Sequence, residues 1–128
     1  MIAERVANLA EVARLAAEEG SISFPLRDFL DGFYASPSPA RLAEEPRLLC
    51  SELHDDGFAD AYLAAACDHL CRRYRFQRPA WVKSAGRILS KPYFAAKTLP
   101  LRMVLLQESP PAFRERNIFV SANALSRA

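Results

Sequence analysis

The sequence predicts an all-α protein, a compact single-domain bundle of about six or seven helices with a proline-punctuated C-terminal part. Three observations lead there. Apolar residues recur at helical spacing in "IAERVANLAEVARLAAEEG" and again in "FADAYLAAACDHLCRRYRF". The 9 prolines cut the chain into short segments, while only 4 glycines leave little room for phosphate-cradling loops. A chain of 128 residues has the length of one domain, and it buries about two thirds of its unfolded surface without help from a disulfide or a metal.

In the first segment Ile2, Val6, Leu9, Ala13 and Ala16 recur at steps of four and three, widened by Val12 and Leu15. Glu4, Arg5, Asn8, Glu11 and Arg14 take the opposite face, and Gly20 is placed to end the helix in a left-handed cap. Ser23, with Pro25 just inside, opens a second helix whose apolar face is Phe24, Leu26, Phe29, Leu30 and Phe33. Pro37 and Pro39, two apart, make a loop. "ARLAEE" and "PRLLCSEL" predict one or two short helices, the second opened by Pro46. "HDDG" is a turn in which Asp55 or Asp56 caps the next helix.

That core helix gathers Phe58, Tyr62, Leu63, Ala66, Cys67, Leu70, Cys71 and Tyr74 on one broad side. Asp60, Asp68, His69, Arg72, Arg73 and Arg75 lie elsewhere. Beyond Pro79 the pattern predicts a short helix around Ala85 to Leu89 and a Pro92-led turn carrying Tyr93 and Phe94. Next come a helix capped by Thr98 with Pro100 in its first turn, and one more helical turn running through Arg116. "NIFVS" reads as a short strand, and Ser121 as the cap of a last turn.

The formal charge of +2 hides an asymmetry. Up to Cys71 there are five arginines and no lysine against thirteen carboxylates; from Arg72 on, twelve lysines and arginines face only Glu108 and Glu115. The two parts either neutralise each other, within the fold or across a homodimer, or the basic part faces a polyanion. The first reading is favoured, because nucleic-acid domains rarely carry so acidic a half.

The longest apolar run, Ala61 to Cys67, is far short of the ~20 residues of a membrane span, so no membrane is expected. No 7–15-residue apolar region of a signal peptide opens the chain, and the 3 cysteines lack disulfide-framework spacing. Together these predict a cytoplasmic protein.

Catalytic patterns are absent. There is no P-loop, dinucleotide-binding glycine pattern or HExxH, and histidine adjoins carboxylate only at His54 to Asp56 and at Asp68 and His69. Cys50, His54, Cys67 and Cys71 form two pairs four apart, as zinc ligands can, but a fold-back at the "HDDG" turn keeps the pairs from meeting. No enzyme and no cofactor is expected.

Two surfaces are candidates for binding. "RRYRFQR" interleaves Arg72, Arg73, Arg75 and Arg78 with Tyr74 and Phe76; with Lys83 it could hold phosphates, or its arginines could simply complement the helix C-terminus. In "ESPPAFRERNIFVSANALSRA", Phe113, Ile118, Val120 and Leu125 are expected to pin the tail to the body. Arg114, Arg116, Asn117 and Phe119 would then be displayed to a protein partner, since arginine and aromatic side chains dominate interface hot spots.

That tail, with "PAWV" and "PYFA" before it, resembles the C-terminal part of a small, poorly characterised bacterial protein family. The likeness covers about the last fifty residues; the first half shares only length and a "RDFLDGFYASPS"-like run. The resemblance implies a gene beside nucleotidyltransferase-like genes, as in toxin–antitoxin pairs, and hence an antitoxin-like role. It carries over no catalytic residue. The expectation is therefore a non-enzymatic protein-binding module, with a nucleic-acid-binding regulator as the alternative.

Overall fold

The fold is arranged around one helix, α5 (Phe58–Tyr74), which is buried on nearly every side. Its small residues, Ala59, Ala61, Ala64, Ala65 and Ala66, are at most 1% exposed and let neighbouring segments approach closely. A helix apolar all round belongs in the centre of a protein. The computed structural model describes residues 6–127.

Ahead of α5 come α1 (Leu9–Glu19) and α2 (Ser23–Ala35), which pack on each other, and two single turns, α3 (Ala40–Ala43) and α4 (Cys50–Leu53). After it come a 3₁₀ turn (Ala80–Lys83), the strand β1 (Tyr93–Phe94), α6 (Leu99–Glu108), α7 (Pro111–Arg114) and β2 (Ile118–Phe119). The described residues thus form seven α-helices and a two-stranded sheet, the mostly-α fold that the sequence predicts. The strands run parallel, with Tyr93 opposite Ile118 and Phe94 opposite Phe119; α6 and α7 form the crossover between them.

Local chemistry sets most boundaries. Gly20 adopts φ +83° and donates its N–H to Ala16 O at 2.7 Å, the expected left-handed cap of α1. Within the described residues the helix starts at Leu9, because Asn8 Oδ1 accepts the Glu11 N–H at 2.8 Å and Val6 N–H turns away to the Asp28 carboxylate. Ile2, Glu4 and Arg5, assigned to this helix by the pattern, lie outside the described residues. At α5 it is Asp55 that supplies the cap, its carboxylate accepting from Gly57 and Ala59 N–H.

Four expectations are corrected. Phe24 is 65% exposed: the buried sector of α2 runs through Pro25, Leu26, Phe29, Leu30 and Phe33, and Phe24 precedes it by one step of about 100°. The second short helix begins at Cys50 rather than Pro46, since Pro46 O and Leu49 N–H bond to Arg87 and Asp60 instead of a helical ladder. The segment 85–89 is a turn with Gly86 at φ +86°, and the helical piece lies before it, at Ala80–Lys83. The helical turn expected through Arg116 stops at Arg114, because Asn117 enters the left-handed region at φ 64° and aims the chain into β2.

One apolar cluster joins α1, α2, α5, the 3₁₀ turn and the tail. Phe113 and Ile118 are fully buried, with Val120 and Leu125 nearly so. Tyr34 Oη donates to Leu125 O at 2.8 Å, tying the last segment to α2. The tail is apolar because it closes this core.

Candidate interaction surface

The arginines expected to be displayed are not all displayed. Arg116 is 5% exposed; its Nη1 donates to Asp68 Oδ2 at 3.0 Å and to Ala112 O at 2.8 Å, and its Nη2 donates to Val82 O at 2.9 Å. The expectation that Arg116 faces a partner is therefore corrected. Its anchor, Asp68, which the pattern places off the core side of α5, is itself 1% exposed. A buried carboxylate needs compensation, and Asp68 receives it from three arginines on three segments.

Two of those arginines come from the basic stretch. Arg72 Nε donates to Asp68 Oδ1 at 2.9 Å while its Nη2 reaches Glu115 at 2.7 Å, and Arg78 Nη1 donates to Asp68 Oδ1 at 3.3 Å. Burial alone would raise the Asp68 carboxyl, but the hydrogen bonds and charges of Arg72 and Arg116 outweigh it and hold the group below its ordinary value. Arg73 lies over the rings of Tyr34 and Tyr74, at 5.4 and 5.6 Å from their centroids. Arg75 and Lys83 are exposed. The stretch proposed for phosphates thus ties Arg72 and Arg78, both still exposed, to Asp68.

Of the other tail residues, Arg114 is exposed. Asn117 is half-buried; its Nδ2 donates to Leu89 O at 2.8 Å and its carbonyl accepts from Tyr93 N–H. Phe119 is half-buried and stacks on Phe94 at 4.8 Å between centroids. Asn117 and Phe119 therefore join β2 to β1.

A second buried centre is nearly invisible in the sequence pattern. Arg87 is fully buried, with Nη2 donating to Pro46 O at 2.5 Å and Glu45 Oε2 at 3.1 Å, Nη1 donating to Asp60 O at 3.2 Å, and its guanidinium over Trp81. Asp60, 2% exposed, accepts from Leu49 and Cys50 N–H, so a side chain of α5 caps the start of α4. Burial raises the Asp60 carboxyl, and the Leu49 hydrogen bond and the Arg87 charge offset this only in part. The one sequence signal is the pair of aspartates, Asp60 and Asp68, in a helix whose other polar side chains, His69, Arg72 and Arg73, gather at its C-terminal end.

Exposed apolar side chains gather on α6. Leu105 alone among its side chains is buried, while Leu99 (71% exposed), Leu101, Met103, Val104 and Leu106 all face outward. Single exposed leucines are ordinary; five large apolar side chains within one ten-residue helix are not. Leu99, Met103 and Leu106 fall at i, i+4 and i+7 and form a stripe away from the Leu105 side. The helix is held by its end: Ser109 Oγ lies 2.6 Å from Leu105 O and 2.8 Å from Val120 O, and accepts the Val120 N–H at 2.9 Å. Exposed Lys97 precedes it and exposed Arg102 lies on it, and Glu108 is its single carboxylate.

Cys67 and Cys71 are buried in α5 and Cys50 is exposed. Among the described residues no three histidine, cysteine or carboxylate side chains gather as metal ligands do, and no helix is long and apolar enough to cross a membrane. The chain matches no protein-family model, no curated protein and no solved structure.

Proposed function

We propose that this protein is a non-enzymatic binding module that docks a second, unlike protein through α6. The observation that carries the reading is the outward-facing apolar helix, in which only Leu105 is buried. A short helix presenting anchors at i, i+4 and i+7 fits a hydrophobic groove on a partner. Lys97 at the start of the helix and Arg102 on it specify the rest of that groove: its rim carries carboxylates, which steer the encounter. An antitoxin-like role beside a nucleotidyltransferase-type protein, implied by the resemblance of the tail, is a setting in which this surface would act by covering the partner's site.

The test uses tagged wild-type protein, the variant Leu99→Glu/Met103→Glu and the variant Arg114→Glu, recovered from cells that make the protein and washed at low and high salt. Support is one stoichiometric protein that survives high salt with the wild type and Arg114→Glu and is lost from the α6 variant. A photo-crosslinker at position 103 must also attach to an apolar groove with an acidic rim. Light scattering over a concentration series supplies the contrary outcome. A wild-type dimer that the α6 substitutions dissolve would give the surface to a second copy and overturn the reading. Nucleic acid that elutes at high salt, with no protein companion, would also overturn it in favour of the basic stretch.

A further inference from the structure

A cleft separate from α6 lies where α2, the start of α5, β1 and the C-terminal turn meet. Its volume is about 620 Å³, within the roughly 300–1,000 Å³ of small-molecule sites. Leu26, Leu30, Phe58 and Leu125 give it an apolar floor. Two phenols face it: Tyr62 and Tyr93 line the cleft, and neither hydroxyl makes a hydrogen bond among the described residues. Burial, and then the nearby Tyr93, push the Tyr62 phenol up to about 12, so it remains a neutral hydrogen-bond donor at physiological pH.

Among the described residues the charge of the cleft has one sign: Arg27 and Arg127 line it and no carboxylate does. Arg127 is bound at 2.9 Å to Asp31, outside the cleft. Arg27, on the exposed side of α2, has no carboxylate partner among the described residues. An apolar floor, two free phenols and one uncompensated guanidinium at the rim describe a particular ligand chemistry.

We propose that this cleft binds a small amphipathic anion, an apolar chain or ring bearing one carboxylate, with the carboxylate on Arg27 and a phenol and the apolar part on Leu26, Leu30 and Phe58. The site is independent of docking through α6. A hydrocarbon body is recognised by area burial and the head by charge-assisted hydrogen bonds, so both halves of the ligand are required.

Calorimetric titration of the full chain tests this with three probes of equal chain length: decanoate, decanol and decyltrimethylammonium, all kept below their micelle concentrations. Decanoate is expected to saturate at one molecule per chain, and decanol and the cation to bind at least about tenfold more weakly. Arg27→Glu should weaken decanoate by about tenfold or more. Ser23→Trp, which fills the rim from an exposed position, should abolish binding at an unchanged thermal midpoint. Leu99→Glu/Met103→Glu should leave it unaltered. No saturable binding of decanoate would overturn the assignment. So would equal affinity for decanoate and decanol, or binding that both cleft substitutions leave intact.

Discussion

Arg116 and Asp68, 48 positions apart in the chain, meet in the interior with Nη1 and Oδ2 3.0 Å from one another. The pair fixes where the tail crosses α5, because Arg116 simultaneously binds the carbonyls of Ala112 and Val82. Removing one partner of a buried pair leaves the other charge uncompensated, a cost of about 3–5 kcal/mol. Asp68→Asn is therefore expected to lower unfolding free energy by about that much in urea. Arg114→Glu, two residues from Arg116 but exposed, should stay within about 0.5 kcal/mol of wild type. Equal effects from the two substitutions would refute a buried role for Arg116.

Arg87 gives a sharper contrast. Its fork reaches Pro46 O, Glu45 and Asp60 O at once, a geometry that a lysine ammonium cannot reproduce. Arg87→Lys should destabilise nearly as much as Arg87→Met, by about 3 kcal/mol or more. Trp81, the single tryptophan, lies under the guanidinium and reports the change directly. Its emission should shift to the red in both variants, and full rescue by lysine would show that charge alone matters.

Asn117 combines two functions that substitution can separate. Its backbone sits at φ 64°, where a β-carbon costs about 1–2 kcal/mol, and its side chain holds Leu89 O. Asn117→Gly loses the hydrogen bond, about 1 kcal/mol, but also sheds the strained β-carbon. Asn117→Ala loses the bond and keeps the β-carbon, so thermal unfolding should rank both wild type and glycine above alanine. Alanine equal to glycine would mean that the left-handed conformation carries no cost.

Stability should decline on mild acidification, and His69 is the main cause near neutrality. Burial first, then the charge of Arg73, lower its pKa against the opposing Asp68 carboxylate. A histidine with a lowered folded pKa contributes stability that is present above its unfolded value of about 6.5 and is lost as pH falls through the folded value. The lowered Asp68 acts in the same direction at more acidic pH, while Asp60, raised by burial, acts oppositely and stabilises when protonated. Urea unfolding of His69→Gln between pH 7 and 5 should show a flatter dependence than wild type; parallel curves would remove His69 from the explanation.

What the sequence discloses and what it hides divide along the range of the interactions. Gly20, Asp55 and Pro100 act on backbone groups within four residues, so the elements they bound are readable in order. Asp60, Asp68, Arg87 and Arg116 read as outward-facing or pass unnoticed because a polar side chain is usually exposed. Their burial depends on partners 27 to 48 residues away, which periodicity does not encode. With α6 the pattern is silent on burial: a run of leucines is the same whether the covering surface belongs to the same chain or to another. Phe113 and Ile118 are legible as core anchors, whereas the parallel pairing of "PYFA" with "NIFVS" is not, since each strand is two residues long.

The bond from Tyr34 to Leu125 spans 91 residues, and that from Arg127 to Asp31 spans 96. A helical protein of this size would ordinarily fold through contacts between neighbours in sequence. Here the part of α2 around Leu30 and Tyr34 is covered only when the distant segment around Leu125 docks, and closing so long a loop is slow. During that interval Leu26 and Leu30, which line the cleft with Leu125, are available to other chains as well as to their own. The same tail that completes the native core therefore sets the time during which the nascent protein depends on dilution or on chaperones to remain unaggregated.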